Sequence, residues 1–68
     1  MIQYEVYISN GEKPFHTFYS DYQFQMNEQI FIEKKREIHR MLIHKITHSI
    51  RGETHIVRLN TSFKKTFE

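Results

Sequence analysis

The chain is predicted to be an all-β domain, a small barrel of about five strands followed by a short C-terminal tail. Two observations lead there. Its apolar residues are β-branched and aromatic: nine Ile, six Phe, four Tyr and two Val stand against two Leu and no Ala. Such side chains suit a pleated, half-buried surface, and the strongest helix formers are nearly missing. The second observation is alternation of apolar and polar residues with period two, interrupted by short turn signals.

Size limits the architecture further. Sixty-eight residues make one domain, which buries roughly 60% of the surface its unfolded chain exposes. There is no cysteine, so neither disulfides nor thiolate metal sites can support the thin core. A core of large side chains, or a partner subunit, has to do so. The formal charge of +2 is compatible with an acidic partner or nucleic acid but is also ordinary for solubility. "MIQYEVYI" lacks the basic start and apolar run of a signal peptide, and no apolar stretch approaches the ~18 residues of a membrane span. A cytoplasmic protein with no membrane contact is expected. Asn60-Thr61-Ser62 has the form of a glycosylation acceptor, which carries no weight without a secretory signal.

In residues 2–8, Ile2, Tyr4, Val6 and Ile8 face one way and Gln3, Glu5 and Tyr7 the other. That is a half-buried strand. Asn10-Gly11 marks a turn, and Pro14 places the returning strand, Phe15 to Tyr19, at a sheet edge because proline cannot donate to a ladder. "SDYQFQM" alternates again, with Tyr22, Phe24 and Met26 on one side. "NEQ" connects to a short strand in "IFIEK", and "KKRE" is a charged turn.

Residues 38–51 admit two templates. As a helix, Ile38, Met41, Leu42 and Ile46 form a stripe at i, i+3, i+4 and i+8, extendable back through Phe31 and Ile30 to Asn27 as N-cap. Ile32 and Ile43 then fall off the stripe, while Lys34, Lys45 and Ser49 fall on it. As a strand, the buried face changes phase, with Met41 and Ile43 before the change and Ile46 and Ile50 after it. A long strand bending within a small barrel does this at a bulge. The strand is preferred, and an α+β fold with a helix near 28–48 is the alternative.

Gly52-Glu53 then closes a hairpin that pairs Ile50 with His55, His48 with Val57 and Ile46 with Leu59. Its buried side is Ile46, Ile50, Val57 and Leu59, and its other side carries Lys45, Thr47, Arg51, Ile56 and Arg58. Residues 1–60 make the barrel, and 61–68, "TSFKKTFE", make a basic and aromatic tail. This succession of strand, NG turn, aromatic strand, Asn-Glu-Gln-Ile-Phe-Ile, charged turn, long strand with Ile-Thr-His, Gly turn and His-Ile-Val-Arg-Leu resembles the SH3-like small barrels of many short bacterial and phage proteins. The resemblance covers residues 2 to 60. It implies a barrel that binds nucleic acid, peptides or proteins, without a shared active site.

Little in the chain points to catalysis. His44 and His48 would sit side by side on a helix, but Lys45 stands where the metalloprotease pattern has Glu. In a strand they are ~13 Å apart at ~3.3 Å per residue, and only His48 and His55 become diagonal neighbours. Zinc needs three or four converging ligands, so no metal and no cofactor is expected. Asp21, the single aspartate, sits in a turn between Ser20 and Tyr22, and no nucleophile elbow or phosphate loop is present. The chain is not expected to be an enzyme.

Two groups of residues suggest binding. Lys34, Lys35, Arg36, Arg40, Lys45, Arg51 and Arg58 could meet nucleic acid or an acidic partner. Ten Phe and Tyr residues exceed what so small a barrel hides, and Tyr7, Tyr19, Phe63 and Phe67 are expected at the surface as a protein interface. The sequence therefore suggests a non-catalytic protein-interaction or inhibitor module with a protein partner or a second copy. A nucleic-acid-binding barrel with a basic face is the alternative.

Overall fold

The computed structural model describes residues 1–9 and 11–64, the side chains of Phe63 and Lys64 excepted. Asn10 of the expected turn and Phe67 of the expected interface lie outside the described residues. Five strands form: β1 (Ile2–Ile8), β2 (His16–Ser20), β3 (Gln29–Lys34), β4 (Glu37–Arg51) and β5 (Thr54–Lys64). They make one mixed sheet in the order β2-β1-β5-β4-β3, curled into a half-barrel. β1 runs parallel to β5, and the other neighbours are antiparallel. Among the described residues there is no helix, so the helical template over 28–48 is not adopted.

The alternation in β1 sets the inner face. Tyr4 and Val6 are buried there with Ile30 and Ile32 of β3, Met41 and Ile43 of β4, and Val57 and Leu59 of β5. β4 changes phase as its sequence requires. Ile43 pairs with Thr61 and Lys45 with Asn60, which leaves His44 as the extra residue of a β-bulge. Before the bulge, odd-numbered residues point inward. After it, Ile46 does. The tip of the hairpin has the expected register, Ile50 with His55, His48 with Val57 and Ile46 with Leu59.

Both two-residue hairpin turns depend on backbone geometry. Gly52 takes φ 61°, the left-handed region where a side chain is strained, in a two-residue turn. Lys35 and Arg36 both have positive φ, 54° and 66°, the pattern of a type I′ turn made without glycine. β2 sits at the edge, as Pro14 indicated.

Tyr22 to Met26 alternates without forming a strand. The segment crosses the end of the half-barrel, and Phe24 packs edge-on against Tyr4 at 5.0 Å and Phe18 at 5.9 Å. Its spacing serves that aromatic plug rather than a ladder. Ile50 is 67% exposed, not buried, because β1 meets β5 only from Ile56 onward and the hairpin tip overhangs the core. The tail does not begin at residue 61. β5 continues to Lys64, pairing with β4, and Thr61 is fully buried. Finally, Tyr7 is 7% exposed, for reasons given below.

Candidate interaction surface

Curling brings the two edge strands, β2 and β3, to the two sides of one open seam. His16 and Phe18 line it from β2, Ile30 to Glu33 from β3, and Phe24 closes its floor, around a cleft of about 310 Å³. That size is at the small end of ligand pockets, ~300 Å³ upward. Lys34 reaches across one end of the seam, where its ammonium donates to the Phe15 carbonyl and lies 4.4 Å from the Phe15 ring centroid. Phe15 in turn packs edge-on against His39 at 5.1 Å.

The other end is built from aromatic rings. Tyr4 stacks on Phe18 at 5.3 Å, and its hydroxyl donates to the Tyr22 carbonyl. Burial pushes the Tyr4 phenol above its ordinary range, with the backbone contact near Phe24 opposing this. The Tyr22 hydroxyl donates to Glu28 Oε2 at 2.6 Å, and the Gln25 N–H donates to Glu28 Oε1 at 2.9 Å. These two donors, the phenol first, hold the Glu28 carboxyl below the usual range, and the same carboxylate raises Tyr22. Ser20 Oγ accepts the Tyr22 N–H at 3.0 Å, the turn cap suggested by the sequence around Asp21.

On the outer face, the Arg58 guanidinium lies 4.6 Å from the Tyr7 ring centroid, and the Tyr7 hydroxyl donates to Glu5 Oε1 at 3.1 Å. The arginine covers the ring, so Tyr7 is not a free surface aromatic. Tyr19, at 62% exposed, is one. Sequence reasoning missed Phe31, 64% exposed on β3 between two buried isoleucines. The alternation of "QIFIEK" holds the signal, since Ile30 and Ile32 facing inward force Phe31 outward.

The basic residues divide. Arg40, Lys45 and Arg51 lie on the outer face of β4 across the bulge, and Arg58 joins them from β5. From Arg40 to Arg51 they extend over about 35 Å at ~3.3 Å per residue. Lys34, Lys35 and Arg36 are at the β3–β4 turn. The structure brings His48 and His55 together, with Nδ1 and Nε2 3.0 Å apart, while His44 stands exposed on the bulge. Among the described residues no three His, Asp or Glu side chains gather as a metal site would require.

A search of curated proteins and of solved structures finds no match to the chain. The comparisons lend no support to the bacterial and phage setting of the SH3-like resemblance. A family model described as WASH complex subunit 7 matches residues 1–68. With the match running the length of the sequence, the chain belongs to the WASH complex subunit 7 family.

Proposed function

We propose that the chain is a non-catalytic protein-interaction module, a β half-barrel through which a subunit holds its place among other proteins. The single observation that carries this is the uncovered seam between β2 and β3, lined by Phe18, Phe24, Ile30 and Ile32, with Phe31 exposed on its rim. An apolar cleft beside an exposed aromatic residue is the composition of an interface centre. The family supports the reading, since it is described as a subunit of the WASH complex, and a subunit acts through contacts with its neighbours.

The test is co-elution. The purified chain, mixed with the other purified subunits of the WASH complex, is expected to elute with them at both low and moderate salt. Absence of co-elution refutes the reading.

A second reading, nucleic-acid binding, has one observation in its favour: Arg40, Lys45, Arg51 and Arg58 share the outer face. Glu5 lies on that face beside Tyr7 and Arg58, which weakens its field. Oligonucleotide-induced amide shifts at those residues, lost as salt rises, would favour this second reading.

A further inference from the structure

We propose that the seam between β2 and β3 is a strand-acceptor site, which takes one extended segment of a partner protein as a sixth strand. The inference rests on the protein-interaction reading and specifies its geometry.

The backbone supplies the first argument. Among the described residues β2 and β3 end the sheet, so each has one edge without a partner strand, and the two edges border the same cleft. Lys34 and Glu37 flank a two-residue turn, the place of a hydrogen-bonded pair. By alternation, Lys34, Ile32 and Ile30 aim their backbone groups at β4, and Gln29, Phe31 and Glu33 aim theirs into the seam. The Ile43 N–H donating to the Glu28 carbonyl at 3.0 Å continues the same alternation.

The middles of the two edges are also undefended, with Glu33, Lys34 and Pro14 gathered towards one end. Soluble proteins ordinarily protect an exposed edge with charge, proline or a bulge. β2, "HTFYS", contains no Lys, Arg, Asp, Glu or Pro, and the centre of β3 is Ile30-Phe31-Ile32. An edge left in this state is suited to receive a strand.

The occupant follows from the lining. Apolar residues at every second position of the incoming segment would face Phe18, Phe24, Ile30 and Ile32, as strand addition requires. Lys34, Lys35 and Arg36 lie at one end and favour acidic residues there. A second copy of this chain does not suit the seam. Strands pack ~4.8 Å apart, and where Lys34 reaches Phe15 the seam is spanned by one side chain. That leaves room for a single strand, whereas β3 of another copy would bring its own β4 on its far edge.

The probe is a synthetic ten-residue peptide of alternating valine and threonine with an aspartate pair at one end, titrated into the labelled 68-residue chain. Amide shifts in β2 and β3 are expected, with slowed hydrogen exchange at Gln29, Phe31 and Glu33. The same peptide N-methylated at the alternate residues that face β3 cannot donate to that edge and is expected to bind at least tenfold more weakly. Phe31→Pro is expected to abolish binding while the rest of the spectrum is retained, because the N–H it removes faces the seam and not β4.

Equal binding of both peptides would overturn strand addition in favour of side-chain docking, leaving the interaction reading intact. No shift with either peptide would overturn the site. Co-elution with the complex subunits then decides the broader reading separately. Slow exchange at the same amides in the free chain, with a dimer mass in sedimentation, would make a second copy the occupant and overturn the proposal as well.

Discussion

Thr61 gives the sharpest test of the fold. It is the one buried polar side chain among the described residues, and its hydroxyl donates to the Tyr7 carbonyl at 2.8 Å. Its own carbonyl accepts the Ser9 N–H at 2.9 Å. Thr61→Ala removes the hydrogen bond, about 1 kcal/mol net, and a buried methyl, about 0.8 kcal/mol. The expected loss is therefore about 2 kcal/mol. Thr61→Val keeps the volume and loses only the bond, so about 1 kcal/mol is expected. At ~0.05–0.15 kcal/mol per residue, a domain of this size has about 3–10 kcal/mol in all, so the alanine variant removes a large share. Urea unfolding followed by circular dichroism measures both changes, with the midpoint falling and the slope unchanged. Thermal midpoints should fall by about 4–8 °C per kcal/mol. If both variants stay within about 0.5 kcal/mol of the parent, as surface substitutions do, residue 61 belongs to a loose tail and β5 stops short of it.

Other substitutions test separate parts. Gly52→Ala meets no atom within 4 Å, so its cost is backbone strain alone, about 1–2 kcal/mol by thermal melt. Conversely, Lys35→Asn with Arg36→Gly relieves positive φ at both turn positions, and stabilisation of about 1 kcal/mol is expected in the same melt. Tyr22→Phe deletes the leading donor to Glu28, so the Glu28 carboxyl should titrate closer to its ordinary range by carboxyl NMR. The sign follows from the lowered value in the folded state. Glu28 adds stability above the ordinary glutamate range and loses it as pH falls through the folded value, a loss that Tyr22→Phe should blunt.

The parts of the fold legible in the sequence are those governed by neighbours along the chain. Gly52-Glu53 fixes a turn, and matching alternation on its two arms fixes the register out to Ile46 and Leu59. The phase change between Ile43 and Ile46 betrays the bulge at His44 for the same reason. What escaped depends on strands distant in sequence. Ile50 alternates like a core residue but overhangs because of where β1 begins, and no local pattern reports that. Tyr7 is hidden by Arg58, its neighbour only through the parallel pairing of β1 with β5. Tyr22 and Phe24 alternate like a strand because the plug they form needs rings on one side of an extended segment. At the candidate site, Phe31 could have been found by alternation, but the seam itself required knowing that β2 and β3 end the sheet.

The strand order also dictates how the chain assembles. β1 with β2, and β3 with β4 and β5, are two blocks whose pairings are local, whereas Gln3 has to find Ile56 to join them. Closing so large a loop is the entropically costly step, and domains rich in such contacts fold slowly. The hairpins thus form early and the parallel ladder late. Until β5 is in place, Tyr4 and Val6 have a strand on one side only, that of β2, so the first hairpin of the chain must wait with its other edge open for β5.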